Sequence, residues 1–237
     1  MLDELGINGF VMEQDKRYLK LGTDAMLLSE FARVPKRGKV CDLGCGMGAV
    51  SILLAARHEN IVLHGVEIVE GAAEICRRNA GHNKVSDRLF VHTLDIKNIR
   101  EEFEAGSFDA VVSNPPFMQI DGGLHTGSEE MLCARMELFC TIDDVCAAAS
   151  YLLKFGGSFS LVYRPSRLAD LFDALLRHNL APKRMRFVQD TVSAEPSLVL
   201  LETRKGGGSG IKNLPALILK NPDGTESEET RAIYQRK

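Results

Sequence analysis

Tryptophan is absent from this chain of 237 residues, and aromatic residues make up only 6% of it. No apolar run approaches the roughly 20 residues that a membrane-spanning helix needs, so we expect no membrane segment. The N-terminal stretch MLDELGINGF has early acidic residues and no apolar core, which argues against a signal peptide. We therefore expect a cytoplasmic protein.

Cysteine pairs of the C-x-x-C kind are also absent, although the chain has six cysteines. Structural zinc sites usually contain such pairs, so we predict no metal centre. We expect the thiols to be reduced and partly buried; they belong to Cys41, Cys45, Cys76, Cys133, Cys140 and Cys146.

An excess of positive charge is lacking as well, since the formal net charge is −3. This excludes a wholly basic surface for nucleic acid but leaves room for a local basic face. Residues 183–212 contain six basic and three acidic side chains, a local charge of 6 − 3 = +3. The segment is either an ordinary solvated surface or a rim that contacts phosphates.

The sequence does contain a regular alternation of short apolar runs, which predict strands, and amphipathic stretches, which predict helices. Strands joined by full-length helical crossovers pair in parallel, so we predict an α/β fold with helices on both faces of a mostly parallel sheet. We expect strands at 39–43, 61–67, 88–95, 108–113 and 157–164, helices at 49–58, 70–83 and 141–157, a further helix with Leu168, Leu171, Phe172, Leu175 and Leu176 on one stripe, and a closing pair of strands.

The helix at 141–157 has the clearest boundary signals. Thr141, followed by Asp144 three residues later, predicts its N-cap. Gly156 and Gly157 predict its end, because glycine commonly terminates helices.

Both ends of the chain lie outside this alternation. Residues 9–22 predict a hairpin, and residues 23–34 predict a helix capped by Thr23 or Asp24. We therefore divide the chain into an N-terminal hairpin and helix at 1–38, a catalytic domain at 39–204 and a C-terminal extension at 205–237, all within a single structural domain.

The stretch VCDLGCGMGAV, residues 40–50, is the strongest local signal for a ligand site. It places Gly44, Gly46 and Gly48 between a predicted strand and a predicted helix. Glycines at such a turn let the backbone bend sharply and approach a ligand closely. The pattern alone leaves NAD, FAD and S-adenosylmethionine open as cofactors.

Acidic residues mark three successive predicted strand ends, at Asp42, Glu67 and Asp95. A carboxylate at Asp42 suits an ammonium group better than a pyrophosphate. Glu67 is placed for ribose hydroxyl groups, which NAD and S-adenosylmethionine share, and Asp95 is placed for an adenine amino group. Because the carboxyl ends of parallel strands meet at one edge of a sheet, the three acids together favour S-adenosylmethionine.

The fourth predicted strand ends in Asn114, Pro115, Pro116 and Phe117. Two prolines fix their φ angles and make this corner rigid. Together with the Asp42 and glycine motif, the corner resembles methyltransferases that modify exocyclic or amide nitrogens. The resemblance implies that the Asn114 side chain and the Pro115 carbonyl accept hydrogen bonds from the target amine, while Phe117 stacks on a flipped base.

Longer stretches extend the resemblance from about residue 2 to residue 234. LDELGINGF, LGTDAMLLSEFA, CTIDDV, YRPSRLADL, APKRMRFV and RKGGGSGIKNLPAL closely resemble the bacterial family of tRNA N6-adenine methyltransferases that act on valine tRNA beside the anticodon. The family implies a Rossmann-like class I methyltransferase fold with seven strands, the last of them antiparallel. It also implies that Gly22, Thr23 and Asp24 lie near the cofactor.

We accordingly expect S-adenosyl-L-methionine as the cofactor and tRNA as the partner, and we favour a monomer. The expected cofactor-binding residues are Thr23, Asp24, Asp42, Leu43, Gly44, Cys45, Gly46, Glu67, Ile68, Asp95, Ile96 and Asn114. From charge more than from the family, we predict RNA contacts at Arg164, Arg167, Lys183, Arg184 and Arg186.

The sequence departs from the family at Phe117, where the family usually has tyrosine. An NPPF ending is also common in enzymes that methylate N2 of guanine in ribosomal RNA, so guanine is the alternative target. DNA adenine and protein glutamine are weaker alternatives. An NAD-dependent oxidoreductase would give no role to Asn114 and Phe117, and the intact acidic residues argue against an RNA-binding module without catalysis.

Overall fold

The computed structural model describes residues 2–18, 21–115 and 140–235. Its strands are β1 (Leu2–Glu4), β2 (Val11–Glu13), β3 (Gly38–Leu43), β4 (Ile61–Glu67), β5 (Leu89–Thr93), β6 (Phe108–Ser113), β7 (Leu153–Tyr163), β8 (Leu180–Gln189), β9 (Leu198–Lys205), β10 (Lys212–Asn213) and β11 (Leu217–Ile218). Its α-helices are α1 (Thr23–Phe31), α2 (Ala49–Arg57), α3 (Glu70–His82), α4 (Ile142–Leu152), α5 (Leu168–Arg177) and α6 (Glu228–Ile233).

The main sheet runs in the order β10-β8-β9-β7-β6-β3-β4-β5, with β11 also paired to β8. Strand β9 is antiparallel to both of its neighbours, and every other pair in the sheet is parallel. The predicted α/β fold is therefore confirmed, including its antiparallel last long strand. Within the described residues the sheet has nine strands instead of the expected seven, because the two short strands β10 and β11 extend it beyond β8.

Helices cover the two faces of this sheet and form two separate hydrophobic cores. Alternate residues of one strand enter different cores, so Val40 packs into the first and Cys41 into the second. Buried residues of α1, α2 and α3 belong to the first core, and those of α4 and α5 belong to the second. Strands buried on both faces explain the continuous apolar runs in the sequence.

The N-terminal hairpin differs from the prediction. Strand β2 pairs with β1, so the hairpin spans 2–13 and the hairpin expected within 9–22 is wrong. The turn between the strands places Gly6, Asn8 and Gly9 at positive φ, which a short glycine- and asparagine-rich loop tolerates. The buried Asn79 side chain of α3 fastens this hairpin, since it accepts from the Glu13 amide at 2.7 Å and donates to the Glu13 carbonyl at 3.0 Å.

Helix α1 is shorter than expected and begins differently. Gly22 occupies its N-cap position and no side chain caps it, so neither Thr23 nor Asp24 acts as the cap. The helix ends at Phe31, short of residue 34. The Asp24 carboxylate instead accepts a long-range hydrogen bond from Asn114.

The start of α4 agrees with the prediction, whereas its end does not. Thr141 and Asp144 form a reciprocal capping box. The helix stops at Leu152, because Leu153 already pairs with Phe108 of β6 and buries its side chain in the second core. Gly156, with φ +78°, therefore lies inside β7 and does not end the helix.

The buried face of α5 also differs from the predicted stripe. Leu171 and Leu175 are buried as expected. Ala174 completes the buried face, while Leu176 is 66% exposed. The crossing of α5 over the sheet thus turns Leu176 away from the core.

The C-terminal segment packs back onto the main body. Leu217 and Ile233 are buried in the first core, beside residues of the N-terminal hairpin such as Ile7. The division at residues 38 and 204 stays a prediction. Across the described ranges, no helix has the length and apolar character needed to span a membrane.

Candidate active site

A cleft opens at the carboxyl ends of the parallel strands, where β3, β4 and β6 lie side by side. The cleft is continuous with solvent and measures about 1170 Å³ with its open part included. Its lining includes most residues predicted to bind the cofactor, namely Asp42, Leu43, Gly44, Cys45, Gly46, Glu67, Ile68, Asp95, Ile96 and Asn114. The sequence-based placement of these residues at one sheet edge matches this arrangement.

The glycine loop between β3 and α2 forms the floor of the cleft. Gly44 and Gly46 have φ of +72° and +55°, and a side chain at either position would point into open space. The Gly44 amide donates to the Val66 carbonyl at 2.9 Å and fixes the loop to β4. Both glycines thus leave space that a side chain would fill, which fits a closely approaching ligand.

Gly48 has a different role at the start of α2. Its φ is +91°, and an added Cβ would lie 2.5 Å from the Cys76 Sγ of α3. Only glycine allows this close packing of the loop against α3. Gly48 therefore sets the position of the loop, whereas Gly44 and Gly46 leave the cleft open.

Asp42 lies at the base of the cleft and is 1% exposed. Its Oδ2 accepts a hydrogen bond from the Ser51 hydroxyl at 2.6 Å. Burial raises the pKa of Asp42 to about 7; hydrogen bonds from Ser51 oppose this shift, and the nearby Glu67 carboxylate adds to it. A cation placed beside Asp42 would favour its ionised form.

Glu67, at the end of β4, fastens the glycine loop. One carboxylate oxygen accepts from the Gly46 amide at 2.8 Å, and the other accepts from the Val69 amide at 2.9 Å. Burial raises the pKa of Glu67, although these backbone amides lower it. Each oxygen retains a second lone pair, so the carboxylate can also accept from a ligand hydroxyl.

Asp95 lies just beyond the end of its strand. The expected strand 88–95 ends at Thr93, and Asp95 instead caps a short 3₁₀ helix, Ile96–Glu101. Its Oδ1 accepts from the Lys97 amide at 2.9 Å. Asp95 still lines the cleft, together with the neighbouring Ile96.

The corner after β6 brings Asn114 and Pro115 to the cleft. Asn114 Nδ2 donates to Asp24 Oδ2 at 2.8 Å, and Asn114 Oδ1 is buried with no hydrogen-bond partner in the described part of the chain. Asp24 reaches the site through this bond, whereas Thr23 is not among the lining residues. Pro116 and Phe117 lie outside the described residues.

Tyr18 also lines the cleft, although it is not among the residues predicted from the sequence. It is 6% exposed, and its hydroxyl occupies the space that a side chain at Gly71 would need. Tyr18 lies in a loop, so neither a strand end nor a periodic pattern marks it. The aromatic residue shortly before the Gly22-Thr23-Asp24 stretch is the one available signal.

The five predicted RNA-contacting residues do not form one group. Arg164 and Arg167 follow the end of β7, the strand beside β6, and so lie at the same sheet edge as Asn114. Arg186 makes a bidentate ion pair with Glu229 at 2.6 and 2.8 Å, and Arg184 Nε lies 2.9 Å from the buried Glu202 carboxylate. Lys183 donates to the Gly208 carbonyl.

The side chains of Lys183, Arg184 and Arg186 thus connect β8 to β9 and to the C-terminal segment. Their RNA contact stays a prediction, with the stronger geometric support for Arg164 and Arg167. Within 2–18, 21–115 and 140–235, no group of three or more His, Cys, Asp or Glu residues is placed to hold a metal ion.

Comparison with known proteins defines the class first. A family model described as methyltransferase small domain matches residues 17–170. A solved structure of a predicted O-methyltransferase from Agrobacterium tumefaciens superimposes with a TM-score of 0.73 at 21% identity, covering 90% of this chain and 96% of that one. Geranyl diphosphate methyltransferase in complex with S-adenosylmethionine shares the fold at TM-score 0.55 and 16% identity, over 76% of this chain and 84% of that one.

A curated relative then gives the particular family. The tRNA1(Val) (adenine(37)-N6)-methyltransferase of Porphyromonas gingivalis is 31% identical over 208 residues, which cover 85% of this chain and 81% of the relative. The chain belongs to the methyltransferase small domain family and, within it, to the tRNA1(Val) (adenine(37)-N6)-methyltransferases. The predicted family is confirmed, and so is S-adenosylmethionine as its cofactor.

Proposed function

We propose that this chain transfers the methyl group of S-adenosylmethionine to the N6 amine of an adenine in valine tRNA, at position 37 beside the anticodon. The observation that carries the proposal is the buried, unpaired Asn114 Oδ1 at the edge of the cleft, which has no partner among the described residues. It is an acceptor placed for an amine. The family of the chain gives that amine its identity.

The residues around the cleft fit S-adenosylmethionine. The open face of Gly44 and Gly46 would let the ligand approach the backbone. Glu67 would accept hydrogen bonds from the ribose hydroxyls, and the buried Asp42 would face the ammonium group. Asp95 and Ile96 also line the cleft and would contact the adenine ring. When bound, the cofactor supplies an electrophilic methyl group on a sulfonium centre.

Asn114 Oδ1 and the Pro115 carbonyl would accept hydrogen bonds from the two N–H groups of the target amine. That amine is a weak nucleophile, because its lone pair is delocalised into the ring. Two fixed acceptors orient the lone pair toward the methyl group and favour the positive charge that develops on nitrogen. The transfer forms an N–C bond and breaks a C–S bond whose electron pair stays on sulfur, and the nitrogen then loses a proton to water.

Phe117 bears on which base is methylated. Its ring would stack on the flipped base whether that base is adenine or guanine. The family favours adenine, and the N2 amine of guanine is the alternative target. An NAD-dependent oxidoreductase is not favoured, because the class of the chain and the Asn114 acceptor both point to methyl transfer.

A nucleoside analysis tests this function. Purified protein is incubated with labelled S-adenosylmethionine and either valine tRNA or the same tRNA carrying guanine at position 37. We expect N6-methyladenosine from the first RNA and no product from the second. N2-methylguanosine, or equal labelling of both RNAs, would contradict the proposal. Asn114→Ala is the control, since it should abolish labelling while thermal stabilisation by S-adenosylhomocysteine persists.

A further inference from the structure

Asp24 and Asn114 lie 90 positions apart in the chain but form one hydrogen-bonded pair. Asn114 Nδ2 donates to Asp24 Oδ2 at 2.8 Å. The pair joins the first turn of α1 to the corner after β6. No sequence pattern places these two residues together.

This bond fixes which atom of Asn114 faces the cleft. A carboxylate can only accept hydrogen bonds, so the nitrogen of the Asn114 amide must point toward Asp24. The oxygen on the other branch of the planar amide is then directed away from Asp24. That oxygen is buried and has no partner among the described residues, which is unusual for a native polar atom and points to a missing donor.

Asp24 is itself held in place. Its other oxygen, Oδ1, accepts from the Ala25 amide at 2.9 Å, at the beginning of α1. A side chain at Gly22 would collide with this Oδ1, so glycine at that position keeps the space open. Each carboxylate oxygen therefore has one partner, Oδ1 in α1 and Oδ2 at Asn114.

We propose that Asp24 is a positioning residue for methyl transfer: it holds the Asn114 amide with its oxygen toward the target amine. The inference rests on the proposed function for the identity of that amine. It also gives the Gly22-Thr23-Asp24 stretch a role beyond proximity to the cofactor, because Asp24 acts through Asn114.

The same bond strengthens the acceptor. A carboxylate that accepts from the Asn114 nitrogen polarises the amide and increases the negative charge on Oδ1. The target amine becomes more positive as the methyl group arrives, so a more negative Oδ1 stabilises the transition state more than the ground state. The effect of Asp24 should consequently appear in kcat more than in KM.

Asp24→Ala and Asp24→Asn separate the role of the bond from that of the side-chain volume, since the asparagine amide oxygen can still accept from the Asn114 nitrogen. We expect Asp24→Ala to lower kcat about 100-fold and Asp24→Asn less than about tenfold. KM for tRNA and Kd for S-adenosylhomocysteine should stay within about threefold of wild type in both. A loss confined to S-adenosylhomocysteine affinity would make Asp24 a cofactor ligand and overturn the inference.

An exchange of the two side chains gives a sharper test. Asn114→Asp alone places two carboxylates against each other and should lose most activity. Combining it with Asp24→Asn restores a pair in which the amide at position 24 donates and the carboxylate at position 114 accepts. The second carboxylate oxygen at position 114 is then still available to the target amine. We expect the double variant to recover at least about tenfold in kcat over Asn114→Asp. A double variant no better than Asn114→Asp would contradict the role of the pair.

A readout independent of catalysis is the NMR signal of the Asn114 side-chain NH₂, identified by its absence in Asn114→Asp. Asp24→Ala should shift this signal and speed its exchange with solvent, whereas the matched first-turn change Glu228→Gln in α6 should leave it unchanged. An unchanged signal in Asp24→Ala overturns the inference. A shifted signal in a protein that does not methylate adenine supports the positioning of Asn114 and contradicts the proposed function alone.

Discussion

At the scale of single residues, Asp42 has the most unusual surroundings in the cleft. It is almost fully buried, and the Ser51 hydroxyl is its hydrogen-bond donor. Burial without a cation favours the protonated carboxyl, which is why its pKa rises to about 7. Below about pH 7, the free protein therefore holds on Asp42 a proton that an ammonium group of the cofactor would displace.

The raised pKa of Asp42 predicts how stability depends on pH. Between about pH 4 and the folded-state pKa of about 7, the folded protein keeps this proton while the unfolded chain releases it. The free energy of unfolding should thus decrease as pH rises, by at most about 1.4 kcal/mol per pH unit for one proton. Urea denaturation at several pH values measures this slope, which Asp42→Asn should reduce.

The raised pKa of Glu67 acts in the same direction, so Asp42→Asn should leave part of the slope. Lys97→Ala, a change at an exposed side chain beside the cleft, is the control that should leave the slope intact. An Asp42→Asn profile that coincides with wild type would show that Asp42 is ionised in the free protein.

At the scale of elements, the glycine loop combines two requirements at neighbouring positions. Gly48 must pack against Cys76 of α3, and Gly44 must leave the cleft open. Both have positive φ, so both resist substitution by alanine for conformational reasons. They differ in what an added methyl group would meet.

We therefore predict that Gly48→Ala mainly lowers stability, whereas Gly44→Ala mainly weakens ligand binding. Gly48→Ala should lower the free energy of unfolding by about 2–4 kcal/mol, because strain and a clash add. Gly44→Ala should cost about 1–2 kcal/mol in stability but weaken S-adenosylhomocysteine binding at least about tenfold. Chemical denaturation and calorimetric titration measure the two quantities.

Gly208→Ala is the matched control for this pair, since its added methyl group meets nothing and its φ is not in the left-handed region. It should change neither stability nor affinity appreciably. Equal affinity losses for Gly44→Ala and Gly48→Ala would contradict the division of roles.

Sequence patterns predict these elements well where the local signals agree. The glycine motif and the apolar run before it locate β3 and α2 closely, because turn chemistry and hydrophobic pattern agree. The end of α4 was misplaced, since pairing of Leu153 with β6 overrides the glycine signal at Gly156. The bond between Asp24 and Asn114 could not be predicted, because it depends on where the tertiary fold brings the start of α1 relative to the end of β6.

At the scale of the whole molecule, the two chain ends share one core. Ile7 near the start and Ile233 near the end are both buried in the first hydrophobic cluster. The Arg57 guanidinium of α2 also donates to the Ile233 carbonyl at 2.8 Å. Loss of the C-terminal packing should therefore destabilise the body of the protein and not only the extension.

Ile233→Ala tests this coupling. We expect it to lower the free energy of unfolding by about 2–4 kcal/mol while denaturation remains a single transition. Arg231→Ala, on the exposed face of the same helix, is the control and should change stability by less than about 0.5 kcal/mol. A separate early transition in Ile233→Ala would mean that the C-terminal segment unfolds on its own.

The short strands β10 and β11 cover part of the sheet edge formed by β8. Strand β8 would otherwise end the sheet with a row of unpaired backbone groups, to which a strand of another chain could add. The Leu214 and Leu219 amides donate to the Met185 and Gln189 carbonyls at 2.8 and 2.9 Å, so they occupy part of that row. The C-terminal segment thereby shields one border of the sheet from intermolecular strand pairing, a protection against aggregation that is built into the same chain.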